Sequence, residues 1–485
     1  MEALPGRPTV TRRPARITHV PVAPLPWERF REVLTLGQAE DLERAVARAR
    51  RILAGRVVWS VNSTARGGGV AEMLGSLIAY TRGAGVDARW VVMEGDREFF
   101  RVTKRLHNHL HGDPGDGGPL EATERLVYEA TMERNALALD ELIRPGDVAL
   151  LHDPQTAGLA GPLRRRGARV VWRSHIGVDV PTTEAREAWR FLLPFVCEAE
   201  QYVFSRASFA WEDLDLARVA VIPPSIDAFS PKNQDLEAST VRSILRSAGA
   251  EAGRPPTAPV FRREDGTPGR VDRHADLGGS APLAATDPVV LQVSRWDRLK
   301  DPAGVLEAFA RGIAPRGPTH LVLAGPAVAA VTDDPEGREV LQEVAARRAA
   351  LPADTRERAH LLSLPMEDPG ENAAIVNALQ RRADVVVQKS LAEGFGLTVA
   401  EAMWKSRPMV ASRVGGIQDQ IRDGESGVLV ESRDLDGFAD AVVSLLERPE
   451  DANRIGAKAR TEVRDRFLGP RHLTQYVDLF ERLLA

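Results

Sequence analysis

The stretch Lys389-Ser390-Leu391-Ala392-Glu393-Gly394-Phe395-Gly396-Leu397-Thr398-Val399-Ala400-Glu401 places two carboxylates eight positions apart around a Gly-Phe-Gly turn, and a helix-forming run follows at once. Glycines at 394 and 396 let the backbone come close to a ligand, and the free N–H groups at the start of a helix over 397–405 favour an anion such as a sugar phosphate. Glu401 sits a little over one turn into that helix, so it stays near the same mouth as Glu393 in the preceding loop. Two such carboxylates suit different hydroxyl groups of one ligand, and they equally suit solvated charges flanking an ordinary strand-to-helix turn. The rest of the chain has to choose between these readings.

Short apolar runs alternate with amphipathic segments along most of the chain. Val57-Val58-Trp59-Ser60-Val61, 148–151, 170–172 and 219–222 read as buried strands, and the rhythm restarts at Val289-Val290-Leu291-Gln292-Val293 and continues at 321–324, 384–387, 409–411 and 427–430. Continuous apolar strands between helical segments are the pattern of parallel sheets covered on both faces. The expected fold class is therefore α/β, with two successive doubly wound, Rossmann-like domains. The boundaries implied are an N-terminal domain over 1–250, a flexible Gly/Pro-rich linker or insertion over 251–287, a C-terminal domain over 288–465, and a C-terminal helix over 466–485 free to pack back on the N-terminal domain. Residues 251–287 contain Gly266-Thr267-Pro268-Gly269 and Gly278-Gly279 and lack sustained periodicity, so no chemistry is assigned to them.

At 485 residues the chain is long enough for two domains that each bury a core. Cys197 is the single cysteine, which excludes an intramolecular disulfide and a cysteine-based metal cluster and reads as a buried structural thiol in a reducing compartment. A formal net charge of −4 with interspersed signs offers no broad electrostatic grip on nucleic acid or an anionic membrane. Arg7, Arg12, Arg13 and Arg16 stand near the start, but Pro5, Pro8, Pro14 and Pro21 argue against a targeting helix, and no apolar run is long enough to cross a bilayer. A cytoplasmic protein with small-molecule or protein partners is expected.

Three further segments place chemistry at strand ends. Asn62-Ser63-Thr64-Ala65-Arg66-Gly67-Gly68-Gly69-Val70-Ala71-Glu72 follows the first strong strand, and its three glycines precede a helix whose N–H groups suit a phosphate or a sugar. It has neither the lysine of a Walker loop nor the spacing of a dinucleotide fingerprint. Its place at the carboxyl end of a strand is where open α/β sheets bind ligands. Ser294-Arg295-Trp296-Asp297-Arg298-Leu299-Lys300 leaves the strand at 289–293, so Arg295 and Lys300 form a cation pair suited to a diphosphate and to charge developing on a leaving group. His175, in Arg173-Ser174-His175-Ile176-Gly177, and Asp153, in Leu151-His152-Asp153-Pro154-Gln155, share the strand-end position, and either could orient an acceptor, although a lone histidine is more often structural. His107, His109 and His111 alternate without a carboxylate or cysteine partner in Leu106-His107-Asn108-His109-Leu110-His111-Gly112. A polar acceptor-side loop carrying His107 and Asn108 fits this run better than a metal site, and no metal ligand is assigned.

Together these features resemble the retaining glycosyltransferases of the GT-B fold, in particular glycosyltransferase family 4, over nearly the whole chain outside 251–287. The Glu-x7-Glu arrangement of Glu393 and Glu401 is the most specific mark. The resemblance implies two Rossmann-like domains facing a central cleft. It implies that Glu393 contacts donor-sugar hydroxyls, that Glu401 grips the ribose, and that Arg295 and Lys300 hold the donor phosphates. Ser294, Gly394, Phe395, Gly396, Leu397 and Thr398, with Gly67, Gly68 and Gly69, would cradle the donor.

A narrower similarity is carried in order by Asn62 to Glu72, His152-Asp153-Pro154-Gln155, Trp172-Arg173-Ser174-His175-Ile176 and Ile222-Pro223-Pro224-Ser225-Ile226-Asp227. It is to the trehalose glycosyltransferring synthases and the retaining trehalose phosphorylases. The implied synthase reaction moves glucose from a nucleoside diphosphate glucose to free glucose with retention. The phosphorylase alternative converts trehalose and phosphate to glucose and glucose 1-phosphate. Arg295, Lys300, Glu393 and His175 are the residues implied to carry the catalysis, with Asp153, His107 and Asn108 on the acceptor side. No cofactor is obligatory on this precedent, Mg2+ is at most a stimulant, and a homodimer is suggested by analogy. The insertion and the extra His109 and His111 depart from the pattern, so the acceptor is less defined than the donor. A non-catalytic sugar-nucleotide sensor is the competing class, which intact Arg295, Lys300, Glu393 and Glu401 disfavour.

Overall fold

In both halves of the chain the central strands, such as Val58–Asn62, Val148–His152, Val289–Val293 and Val385–Gln388, are buried along their length, so helices have to cover the two faces of each sheet. The computed structural model describes residues 13–65, 68–328 and 335–485. The chain divides into a first unit of Met1–Trp27, Ala45–Ile222 and Tyr476–Ala485 and a second unit of Glu28–Arg44 and Pro223–Gln475.

The first unit holds β1 (Thr18–Val20), β2 (Val58–Asn62), β3 (Ala88–Val92), β4 (Val148–His152), β5 (Arg169–Ser174), β6 (Gln201–Phe204) and β7 (Val219–Val221) in the order β1-β3-β2-β4-β5-β6-β7. All pairs are parallel except β1 with β3, where Val20 faces Trp90. Side chains alternate between faces. Trp59, Val61, Leu151 and Trp172 pack with the helices Arg97–Leu110, Ala122–Leu139 and Thr183–Val196, whereas Val58, Leu150 and Val171 pack with Val477, Leu479, Phe480 and Leu483 of the helix Gly469–Leu484.

In the second unit a short antiparallel pair, β8 (Val260–Arg262) and β9 (Pro268–Arg270), precedes a six-stranded parallel sheet. Its strands are β10 (Val289–Val293), β11 (His320–Pro326), β12 (Ala359–Leu364), β13 (Val385–Gln388), β14 (Met409–Ser412) and β15 (Val428–Val430), in the order β12-β11-β10-β13-β14-β15. The chain winds outward from β10 to β12, then returns beside β10 to begin β13. That reversal opens a crevice at the carboxyl ends of β10 and β13, and the corresponding reversal in the first sheet lies between β2 and β4. The loops after β2, β4, β10 and β13 therefore leave the strands that flank the two crevices, and His175 leaves β5, the neighbour of β4.

Three expectations need correction. The division of the chain falls at 222/223, not at 250, and residues 251–287 are part of the second unit instead of a flexible linker. Phe261, Val271, Ala275 and Leu283 enter its core, and Asp276 bridges to Ser363 of β12. Arg263 forks onto Asp368 at 2.9 and 2.6 Å, and the backbone N–H groups of Asp272 and Arg273 donate to buried Glu371 at 2.6 and 2.5 Å. A segment rich in glycine and charge is held here by ion pairs and a few well-placed apolar side chains, which hydrophobic periodicity does not reveal. Cys197 is exposed at the end of the helix Thr183–Val196, not buried. Among the described residues no helix is long and apolar enough to cross a membrane.

The Phe261 ring lies against Gly269, where a Cβ would come within 2.4 Å of it. Phe261→Ala should speed cleavage within 251–287 in limited proteolysis and lower the unfolding free energy of the second unit by about 3 kcal/mol in urea. Unchanged cleavage would mean that the ion pairs alone hold the segment.

Candidate active site

In the second unit the site is built from the loops after β10 and β13. Gln292, buried in β10, donates from Nε2 to Lys300 O at 3.0 Å and accepts from Lys389 N at 3.1 Å, so one amide joins both loops. Leu391 N adds a bond to Leu299 O at 2.7 Å. The result brings Lys300 Nζ to 2.5 Å from Glu393 Oε2, the oxygen that also accepts from Ser390 Oγ at 3.2 Å. Both members of the ion pair are largely buried, where water screens charge weakly.

Asp301, next to Lys300, is held in the left-handed region (φ +48°) and caps the helix Pro302–Ala308 by accepting from Gly304 N at 3.0 Å. Its carboxylate also pairs with the buried Lys389 ammonium, which donates to Ser432 O at 2.8 Å. Arg295 is exposed, with 54% of its side chain accessible and a 2.9 Å pair to Asp297, as is Arg298 further along the loop. Ser294 donates from its backbone to Ala324 O at 3.0 Å.

The turn before the helix Leu397–Trp404 is fixed from behind. Gly396 takes φ +86°, and Gln420 Nε2 donates to Phe395 O at 2.5 Å. Gly415, at φ +47°, touches the loop so closely that a Cβ would sit 1.6 Å from Glu393 O. The backbone of Glu393, Gly394, Phe395 and Gly396 is thereby held while the first N–H groups of the helix, at Leu397 and Thr398, follow it. Glu401 has different surroundings. It is 1% exposed, its Oε1 lies 3.6 Å from Lys232 Nζ, and its carbonyl accepts from Lys405 Nζ at 3.0 Å. The two glutamates of the motif thus have separate cationic partners.

In the first unit, Asp153 at the end of β4 adopts φ +64°, ψ 178°, a region nearly confined to glycine, and such strain clusters at functional sites. It accepts from His175 N at 2.8 Å and lies 3.0 Å from His175 Nδ1. Burial alone would raise the Asp153 carboxyl, but the His175 ring and backbone N–H reverse this and hold it at about 2. Burial lowers the His175 pKa, with Asp153 pulling the other way. His152 is stacked on His175 at 5.4 Å, and burial pushes its pKa well below the usual value. With Nδ1–H directed to Asp153, the His175 Nε2 has no hydrogen-bond partner among the described residues.

Gly68 and Gly69 open the helix Gly68–Gly83 after β2, and Gly67 lies outside the described residues. The His107 run is a helix and not a loop. Asp96 caps the helix Arg97–Leu110, and Phe99, Val102, Leu106 and Leu110 are buried at helical spacing. His107 and His111 are therefore neighbours at 4.9 Å, while His109 turns inward toward Glu187 at 3.8 Å. Among the described residues no group of three or more His, Cys, Asp or Glu that could hold a metal is present.

Sequence reasoning overlooked Gln292, Lys389, Asp301, Gly415, Gly416 and Lys232. A single amide inside an apolar strand and a Gly-Gly pair after a strand were the available signals for three of them. Lys232 carried none, because its partner is distant in sequence.

The fold and the strand-end loops define a GT-B glycosyltransferase, and comparisons place it more narrowly. Residues 60–211 match the family described as trehalose synthase, N-terminal domain, and residues 279–462 match glycosyl transferases group 1. A trehalose synthase of Pyrococcus horikoshii is 35% identical over 447 residues, covering 92% of this chain and 94% of the relative. A trehalose phosphorylase of Pleurotus pulmonarius is 26% identical, covering 83% of this chain and 54% of that protein. The crystal structure of an α,α-trehalose-phosphate synthase (UDP-forming) from Burkholderia vietnamiensis superposes with a TM-score of 0.65 at 16% identity, covering 87% of this chain and 98% of that one. The chain belongs to the trehalose synthase family of retaining glycosyltransferases.

Asp153 is held below its unfolded value of 3.8, so its stabilisation is complete above that pH and is lost as pH falls toward about 2. His152 and His175, held below 6.5, cost stability from that pH downward because the unfolded chain takes up their protons first. Asp153→Asn should therefore remove about 2 kcal/mol at neutral pH and lose this difference in strong acid. Urea denaturation across pH measures both, and a deficit independent of pH would contradict an ionised Asp153 held by His175.

Proposed function

We propose that the protein transfers glucose from a nucleoside diphosphate glucose to free glucose with retention of configuration, forming α,α-trehalose in the cytoplasm. The observation that carries this reading is the Lys300–Glu393 pair at the sheet reversal, beside a helix start. A diphosphate seated there would meet Lys300, the exposed Arg295 and the N–H groups at Leu397 and Thr398, which stabilise the charge that develops as the sugar–phosphate bond breaks. Glu393, immobilised by Lys300 and Ser390, offers its other oxygen to donor hydroxyls. The acceptor hydroxyl attacks on the face the leaving group vacates and passes its proton to a phosphate oxygen. No protein nucleophile is required. His175, oriented by Asp153, presents Nε2 to a sugar hydroxyl.

The test supplies purified protein with glucose and a panel of nucleoside diphosphate glucoses, with trehalose plus phosphate in parallel, and follows products by mass spectrometry. Trehalose with stoichiometric nucleoside diphosphate is the expected result. Glucose 1-phosphate from the parallel reaction alone would make the protein a phosphorylase, and donor binding without turnover would make it a sensor. Lys300→Ala should lower kcat by about 100-fold or more, the scale of losing one transition-state donor.

A further inference from the structure

At the amino-terminal edge of the first sheet, the loops before β2, β3 and β4 line an open cavity of about 330 Å³, with Arg50, Arg89 and Arg144 exposed at it. It lies at the opposite end of the strands from Asp153 and His175. β2 alone, with five residues, separates the two edges by about 16 Å. Four arginines line the cavity, Arg50, Arg56, Arg89 and Arg144, against two aspartates, Asp87 and Asp147.

The aspartates are already committed. Asp147 is buried and accepts from Val57 N at 2.9 Å, from Trp59 Nε1 at 3.1 Å and from Arg144 N at 3.1 Å. Asp87 is forked by Arg89 at 2.9 and 2.7 Å. The partners of Asp147 are neutral N–H groups, so its carboxylate still offsets one of the three remaining guanidinium charges, and the lining keeps an excess of two positive charges. Arg50 Nε donates to Ala84 O at 2.7 Å and Arg56 donates to Gly146 O, bonds to neutral carbonyls that aim the guanidinium groups without neutralising them. The Arg144 side chain makes no hydrogen bond among the described residues.

The cavity thus concentrates an excess of positive charge on a chain whose net charge is −4. Guanidinium forks match phosphate oxygens geometrically, and the volume is that of a small-molecule site. We propose that this cavity binds a small phosphorylated dianion, either inorganic phosphate or a sugar monophosphate, at a site separate from the transfer chemistry. No nucleophile or free carboxylate faces the space among the described residues, so the site binds without reacting. The site does not depend on the identity of the transfer reaction.

Isothermal titration of the full chain with inorganic phosphate and with glucose 6-phosphate tests it, in the wild type, in Lys300→Ala to remove the other phosphate-binding cation, and in Arg144→Gln and Arg56→Ala. Arg144→Gln breaks no hydrogen bond and should leave thermal unfolding unchanged. Binding should persist in Lys300→Ala and weaken at least tenfold in each arginine variant, while turnover of the two arginine variants in the absence of phosphate stays at the wild-type level. Tighter binding of inorganic phosphate or of glucose 6-phosphate identifies the source. Absence of binding, binding lost in Lys300→Ala alone, or affinities unchanged in both arginine variants would overturn the proposal.

Discussion

One buried amide ties together the two strand-end loops of the second unit that carry the Lys300–Glu393 pair. Parallel strands flanking a reversal in sheet order send their loops apart, and nothing in the sheet ladder fixes those loops relative to each other. Gln292 supplies a constraint by donating to the loop after β10 and accepting from the loop after β13, beside the backbone bond from Leu391 N to Leu299 O. An amide offers both polarities in one rigid group, which no apolar residue of this strand could do. Because it is buried, losing either bond would leave a desolvated backbone group, so the arrangement resists loosening.

The charged groups follow from that tie. Lys300 and Glu393 meet at 2.5 Å because their loops are already aligned, and Lys389 with Asp301 locks the residue beside Lys300. Gly415 and Gln420 press on the Gly-Phe-Gly turn from the other side. The first unit uses the same sheet position with a different device. There a strained Asp153 collects the His175 backbone and ring, leaving one ring nitrogen for other work.

Both sheets were legible in the sequence because strands such as 289–293 and 148–152 are apolar on both faces. The strands Ala88–Val92, Gln201–Phe204 and Ala359–Leu364 escaped notice because polar residues such as Arg89, Gln201 and His360 interrupt their apolar runs. The strand-end positions of Asp153, His175, Lys300 and Glu393 were readable from motif spacing. Their pairing was not, since the Lys300–Glu393 and Asp153–His175 contacts depend on which strands become neighbours. The alternating histidines misled because alternation suggests an extended chain, whereas the Asp96 cap and the buried stripe at Phe99, Val102 and Leu106 impose a helical period. Residues 251–287 misled because composition conveys turn content but not the ion pairs that Arg263 and Arg273 make with a distant helix.

On the proposed function, Gln292 positions the Lys300–Glu393 pair for a nucleoside diphosphate sugar. The most direct measurement is the dissociation constant of nucleoside diphosphate glucose for Gln292→Leu against the wild type, with thermal unfolding recorded on the same samples. A folded variant with affinity reduced at least tenfold, about 1.4 kcal/mol, is the result predicted. A folded variant that binds the donor as tightly as the wild type would contradict it.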